Sequence, residues 1–357
     1  MSSQPKRKRF LMTGAGIVFL SVLIVILGLD VPWNNARAGQ TKLKIRMATL
    51  APKGSSFHQT LQVMGQKWRD APDGGANLTI YTDGTMGSEF DAIRRMRIGQ
   101  LQAAMLTVFG LAEIEESVNA LEYMPMMFRS LDEMSYVLKN LRPILEKKIL
   151  DKGFVVLFWG DAGWVRWFAS EPVKFPEDLK KMKTFVWAGD TKQLDLMKAA
   201  GYNPVPLEAN DILTGLQTGM VNVVPTTPTY ALAGQFYRKA KYMLEVNWAP
   251  LLGATVVTKD VWERLSPRDQ EYIRLTAAEA GRSIRAQSRL ESDQSVEAMV
   301  KRGLVVQKVT PEIQARWEAA AAEFYPKIRG NMVPVEIFDK VQVLIREYRK
   351  GDRKEAG

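Results

Sequence analysis

The residue types that carry most enzyme chemistry are scarce in this chain. It has one histidine, His58, and no cysteine, which argues against the common catalytic triads and zinc sites. It contains no G-x-S-x-G, H-E-x-x-H, P-loop or dinucleotide-binding motif. Catalysis by carboxylates alone stays open. The sequence nevertheless favours a protein that is not an enzyme and that uses neither a cofactor nor a metal ion.

Aromatic residues are concentrated in one segment, between residues 158 and 187. Eight of these 30 residues are aromatic: Phe158, Trp159, Trp164, Trp167, Phe168, Phe175, Phe185 and Trp187. Aromatic side chains dominate hydrophobic cores, so core packing is the simpler interpretation of each one. A pocket for a largely apolar molecule is the alternative.

Hydrophobic spacing predicts the elements that would position these residues. Alternating or continuous apolar runs predict strands at residues 43–47, 78–80, 153–159, 183–187 and 221–224. Helices are predicted at 57–68, 89–99 and 130–145, and a long one from Ser266 to about Met299. Alternating βα units imply an α/β protein with mainly parallel sheets. Two sets of units, before and after about residue 160, imply two lobes.

Five segments, in order along the chain, resemble the DctP-type substrate-binding proteins of TRAP transporters. They are Tyr81–Gly87 (YTDGTMG), Arg97–Leu101 (RIGQL), Leu121–Asp132 (LEYMPMMFRSLD), Glu171–Val186 (EPVKFPEDLKKMKTFV) and Leu216–Asn222 (LQTGMVN). The resemblance runs from about residue 42 to 348. It implies a two-lobed α/β periplasmic-binding-protein (Venus-flytrap) fold with a hinge and a long helix crossing both lobes. The ligand is expected in the cleft between the lobes.

This resemblance also implies how the chain divides. The first lobe is expected from residues 42–161 and about 250–290, and the second from residues 162–249 and about 291–345. Residues 346–357, dense in charges of both signs, are expected to be a solvated tail.

The position that decides the ligand in this family is occupied here by Phe185. Typical members carry an arginine there, which clamps a ligand carboxylate. A second family arginine is matched one place late by Arg166, and on a strand such a shift turns a side chain to the opposite face. Thr226 stands where acid-binding relatives have asparagine. Thr107 and Gly110 stand where sialic-acid-binding members have glutamate and arginine.

These departures predict an unusual ligand. A carboxylate against Phe185 would lose its charged partner, at a cost of several kcal/mol. The ligand is therefore expected to be neutral, or largely apolar, or to hold its charge away from this point.

The other candidate ligand contacts have simpler structural interpretations beside the functional one. Glu89 either faces the cleft or is a solvated acid at a helix start. His58 is either a contact or a helix cap, and Trp248 either lines the pocket or seals it. The predicted ligand-binding set consists of Phe185, Trp187, Trp164, Arg166, Thr226, Thr227, Trp248, Thr107, Phe109, Glu89 and His58. Its threonines can instead satisfy turn backbone.

The first 38 residues read as a signal peptide. The positive run 6–9 and the apolar run 11–29 precede an A-x-A cleavage pattern at 36–38. An uncleaved anchor is the alternative, because about 19 apolar residues could just span a bilayer. Either way, the folded part is expected outside the cytoplasm, in the periplasm. The rest of the chain has 44 Lys and Arg against 38 Asp and Glu, without the clustered basic face that nucleic-acid binding requires.

Three functions follow from these observations. The favoured one is a solute receptor that takes a small organic ligand and works with TRAP-type membrane permease subunits. The second is a carrier or sensor of the same fold that hands an apolar ligand to another membrane partner. The third is an enzyme built on the same scaffold.

Overall fold

A computed structural model describes residues 42–355, so the predicted signal peptide lies outside the described residues. Nine strands are present in this part of the chain and belong to one sheet. They are β1 (Leu43–Thr49), β2 (Ala76–Tyr81), β3 (Ala103–Thr107), β4 (Phe154–Ala169), β5 (Lys183–Trp187), β6 (Asn203–Leu207), β7 (Val223–Thr226), β8 (Tyr242–Thr258) and β9 (Val305–Gln307).

The α-helices of the same region lie mostly between strands. They are α1 (Ser56–Arg69), α2 (Glu89–Arg97), α3 (Val108–Ala112), α4 (Leu131–Asp151), α5 (Pro176–Leu179), α6 (Thr191–Ala199), α7 (Ile212–Thr218), α8 (Pro228–Ala233), α9 (Lys259–Glu263), α10 (Pro267–Val300), α11 (Pro311–Ile328) and α12 (Val335–Glu355). Short 3₁₀ helices cover Glu116–Leu121, Ala209–Asp211 and Phe236–Arg238. No helix among residues 42–355 is both long enough and apolar enough to cross a membrane.

Two long strands connect the lobes. The sheet order is β2-β1-β3-β8-β4-β7-β5-β6, with β9 also paired to β8. β4 and β8 pair along their whole length, but their register shifts at three places, and the middle shift lies between Asp161 and Trp164. Before this shift they pair beside β1–β3, in the first lobe; after it they pair beside β5–β7 and β9, in the second. A β-bulge bends its strand, so the shift marks the hinge.

Each lobe packs helices on both faces of its part of the sheet. In the first lobe α2, α4 and α12 cover one face, and α1, α9 and the start of α10 cover the other. In the second lobe α7, α8 and the end of α10 lie on one face, with α5 and α11 on the other. The predicted two-lobed α/β fold is therefore present.

The long helix α10 crosses both lobes, as predicted. Ser266 caps it by accepting a hydrogen bond from the N–H of Asp269. Ile284, near its middle, packs in the first-lobe core, and Met299, near its end, packs in the second. Between them Ser288 donates to the carbonyl of Asp161, 2.7 Å away, which fixes the helix to the hinge.

Three expectations about organisation are corrected. The sheet is mixed rather than mainly parallel, because β3–β8, β8–β4 and β4–β7 are antiparallel pairs. Residues 335–345, expected in the second lobe, bury Phe338 and Val341 in the first-lobe core with α4. Residues 346–355 continue α12 instead of forming a separate tail. There Arg349 pairs with the buried Glu133 at 2.6 Å, so α12 is tied to α4.

Gly163, in the hinge, has a left-handed backbone conformation that residues with a side chain rarely adopt. Gly163 has φ = +83°, and a Cβ there would meet nothing closer than Ser292 Oγ, at 3.8 Å. We therefore expect Gly163→Ala to cost about 1–2 kcal/mol of unfolding free energy from backbone strain alone. Urea denaturation measures it. Gly351→Ala, on a helix with no neighbour within 4 Å of the new Cβ, should cost nothing; equal losses would contradict the explanation.

Candidate functional site

A cavity of about 290 Å³ lies where the two lobes meet. Its first-lobe wall comes from the ends of β1 and β3 and from the segment 122–125. Its second-lobe wall comes from β5, α6, α8 and α11, and the hinge parts of β4 and β8 form its base. Of the described residues that line it, none is lysine, arginine or histidine, whereas Glu89, Glu122 and Asp161 supply carboxyl groups.

The second-lobe wall is aromatic. Phe185 packs edge-on against Trp187, with ring centroids 5.1 Å apart. Trp187 in turn stacks on Phe109 of the first lobe at 5.8 Å, with the rings 14° from parallel. Such arrangements suit the quadrupoles of aromatic rings. Phe185 is both buried core and cavity wall, so the two interpretations of this residue coincide.

Three tryptophans from β4, β8 and α11 form a second aromatic wall. Trp167 lies 5.3 Å from Trp248 and 5.4 Å from Trp317, measured between ring centroids. Trp317 donates its indole N–H to the carbonyl of Lys174, but Trp167 Nε1, which is buried, has no hydrogen-bond partner among the described residues. A buried donor without a partner is costly, so Trp167 is a candidate donor to a bound molecule.

The structure brings most of the predicted binding residues together. Seven of the eleven line the cavity: Phe185, Trp187, Thr226, Thr227, Trp248, Thr107 and Glu89. Thr227 and Trp248 also have structural roles. Thr227 caps α8 through the N–H of Tyr230, and the carbonyl of Trp248 accepts from the N–H of Met126 at 2.7 Å.

The other four predicted residues do not line the cavity. Arg166 points to the opposite face of β4 from Val165 and Trp167 and pairs with Glu245 at 3.3 Å. Trp164 packs against the first-lobe core. His58 accepts the N–H of Gly54 through Nδ1 at the start of α1.

Phe109, the last of these four, lies behind Trp187 and supports it rather than facing the cavity. Its other ring contact is Phe90, edge-on at 4.8 Å. The two phenylalanines therefore set the position of the Trp187 ring from the first-lobe side. Each of these four side chains is kept out of the cavity by its position on its strand or helix.

Glu89 is the first residue of α2, and its side chain accepts hydrogen bonds from the start of the neighbouring helix α3. Its carboxylate accepts the N–H of Thr107 at 2.7 Å, the hydroxyl of Thr107 at 2.6 Å and the N–H of Gly110 at 3.0 Å. It is 4 % exposed, so the solvated alternative is wrong. Burial raises the pKa of Glu89, and the three hydrogen bonds oppose that rise.

Glu122, which sequence analysis did not single out, is the other first-lobe carboxyl of the cavity. Its Oε2 has no hydrogen-bond partner among the described residues. Burial, with the negative charges of Glu89 and Asp190, raises the pKa of Glu122 to about 8. The signal in the sequence is a single acid inside the apolar run 121–128.

Hydrogen bonds and an ion pair join the lobes beside the cavity. Tyr123 donates its hydroxyl to Asp190, the N-cap of α6. Lys192 of the same helix reaches Glu116 and the carbonyl of Asn331, both at 2.7 Å. Tyr123 and Glu116 belong to the first lobe, and Asn331 adjoins Met332, which packs in the first-lobe core, so these contacts hold the lobes together.

Asp161, the carboxyl group at the hinge, has positively charged neighbours, unlike Glu89 and Glu122. It is buried, with Arg289 Nη2 3.6 Å from its Oδ2. Burial raises the pKa of Asp161, whereas Arg289 and Arg285 lower it. Two cations on α10 therefore balance this charge.

The geometry is that of a binding site. Within residues 42–355 there is no group of three or more acidic or histidine side chains that could hold a metal ion. The single histidine contacts the backbone of its own helix start and not the cavity. A cavity between two hinged lobes, lined by aromatic rings and a few polar groups, suits a small organic ligand.

Binding proteins from other bacteria are similar in sequence to this chain. The chain is 25% identical over 238 residues to a solute-binding protein of Chromohalobacter salexigens, covering 66% of this chain and 69% of that protein. It is 24% identical over 255 residues to the 2,3-diketo-L-gulonate-binding periplasmic protein of Escherichia coli, covering 70% and 76%.

Solved structures show the same fold. A TRAP periplasmic solute binding protein from Pseudomonas putida, with bound D-glucuronate, has a TM-score of 0.73 and 28% identity, covering 80% of this chain and 94% of that one. One from Shewanella oneidensis, with bound succinate, has a TM-score of 0.79 and 15% identity, covering 85% and 99%. The family model described as bacterial extracellular solute-binding protein, family 7 (DctP), matches residues 47–331. The chain therefore belongs to this family of TRAP-type solute-binding proteins, which bind substrates and are not enzymes.

Proposed function

We propose that this protein is the periplasmic receptor of a TRAP-type transporter for a ligand that is not an arginine-clamped carboxylate. The observation that carries the proposal is the cavity wall, where Phe185 is a lining residue and no described lining residue is basic. The ligand is neutral, or largely apolar, or carries its charge away from Phe185.

The physical argument concerns desolvation. An anion that enters the cavity loses its hydration and finds ring faces and carboxyl groups instead of a guanidinium fork. The cost of burying such a charge without a partner is several kcal/mol. Arg166, the nearest arginine along β4, is already paired with Glu245 and lies on the other face of the strand.

The proposed specificity differs from that of the neighbouring structures. D-glucuronate and succinate, bound in two of them, are both carboxylates. Their likeness to this chain supports the same mode of capture, in which ligand contacts to both lobes bias a hinge towards closure. The closed protein then delivers its ligand to membrane permease subunits.

Ligand recovery and calorimetry test the proposal. Mass spectrometry of protein purified without unfolding should identify a bound molecule that lacks a carboxylate. Calorimetric titration with succinate and with D-glucuronate should detect no binding at about 1 mM, where the binding free energy is only about −4 kcal/mol. The Pseudomonas putida protein with D-glucuronate is the positive control. A dissociation constant near 1 µM for either acid would overturn the proposal.

A further inference from the structure

We infer that the ligand is an organic cation with an apolar body. Its positive charge lies beside Glu122 and Glu89 at the first-lobe end of the cavity. Its apolar part lies against Phe185, Trp187 and Trp167. This inference rests on the proposed function and names the ligand class of the same site.

The charges that line the cavity favour a cationic ligand. Asp161 has Arg289 behind it, but Glu89 is satisfied only by the uncharged donors of Thr107 and Gly110. Among the described residues, no cation pairs with Glu89 or Glu122 in an ion contact. Buried charges are normally paired, and burial without such a partner raises the pKa of Glu89 and of Glu122. A cationic ligand would supply the missing partner and would bind most tightly where these carboxyl groups are ionised.

The electrostatic field of the Glu89 carboxyl group extends across the cavity. The charge of Glu89 contributes to a raised pKa at Glu122, at Tyr123 and at Tyr230, although burial is the main cause at each. These groups belong to the first-lobe segment 122–125 and to α8 of the second lobe. A cation between them would lie in the field of Glu89 while it contacts both lobes, and ligand contacts to both lobes favour closure.

One carboxylate oxygen in the cavity lacks a hydrogen-bond donor among the described residues. Glu122 lines the cavity, and its Oε2 is without a hydrogen-bond partner among the described residues. A protonated amine would supply that partner in a charge-assisted hydrogen bond, which is about twice as strong as a neutral one. A quaternary ammonium would instead act through charge alone.

The aromatic rings of the cavity wall can also attract a cation. The faces of Trp and Tyr rings attract cations within about 6 Å, and such rings form the cages that recognise quaternary ammonium groups. Tyr123 of the first lobe and Trp187 of the second both line the cavity. An apolar neutral molecule would gain from the rings but not from the carboxyl groups, whereas an anion would be repelled by them.

Three matched probes test the inference by calorimetry at about pH 9, above the pKa of about 8 to which burial raises Glu122. They are benzyltrimethylammonium, its uncharged isostere neopentylbenzene, and phenylacetate. We expect the cation to bind at least about tenfold more tightly than the neutral isostere, in line with a desolvated cation–π contact. Equal or weaker binding of the cation would overturn the inference and leave the proposed function standing. If phenylacetate bound most tightly, both would fail.

A pair of charge-matched variants locates the charge. Glu122→Gln should weaken benzyltrimethylammonium about tenfold and leave neopentylbenzene unchanged. Glu113→Gln removes the same charge from an exposed pair with Arg97, outside the cavity lining, and should leave both probes unchanged. Equal effects of the two variants on the cation would place its charge elsewhere and overturn the assignment to Glu122.

Discussion

Phe185→Arg should abolish ligand binding, with a loss of at least about 100-fold in affinity. The side chain is 3 % exposed and packs edge-on against Trp187. An arginine there loses this packing and must bring a charge into an aromatic wall, at a cost of several kcal/mol. The fluorescent neutral probe N-phenyl-1-naphthylamine, titrated into the purified variant, measures the loss of the apolar site.

A conservative change at the same position is the control. Phe185→Leu keeps an apolar side chain of similar volume, so we expect affinity within about tenfold of the wild type and a stability loss of about 1–2 kcal/mol. Circular dichroism establishes that both variants fold. If folded Phe185→Arg bound the probe as tightly as the wild type, Phe185 would have no part in ligand binding.

Local periodicity predicted the elements that carry this residue. The strand predicted at 183–187 has the same bounds in the structure, and the long helix begins at its predicted cap and ends one residue after Met299. On β4, alternation accounts for Arg166 facing away while Val165 and Trp167 face the cavity. These features depend on neighbours within a few residues, where sequence is most informative.

Features that depend on distant partners could not be predicted. Tyr123 and Asp190 are 67 residues apart in sequence, and neither lies in a pattern that indicates the other. The same is true of α12, whose apolar stripe fits either lobe until its partner α4 is known. Glu122 was overlooked because an acid in an apolar run gains meaning only from the cavity around it. Tertiary context decides such cases.

Glu122→Gln should stabilise the protein progressively as the pH rises from about 4.5 to about 8. Burial, with the charges of Glu89 and Asp190, raises the pKa of Glu122 to about 8, and the backbone N–H of Leu252 opposes the rise. In this window the unfolded chain has lost a proton that the folded protein still binds, so wild-type stability falls with rising pH. The slope is at most about 1.4 kcal/mol per pH unit. Glutamine stays uncharged and does not contribute to this fall.

The difference between the two proteins isolates Glu122 from its titrating neighbours. Burial also raises the pKa of Glu89 and of Asp190, which has Lys192 beside it, and both remain in the variant. Urea denaturation at pH 5, 6, 7 and 8 should therefore give a stability gain that increases by about 3–4 kcal/mol from the lowest pH to the highest. Glu113→Gln should show no such trend. Parallel pH profiles for wild type and Glu122→Gln would mean that Glu122 ionises freely in the folded protein.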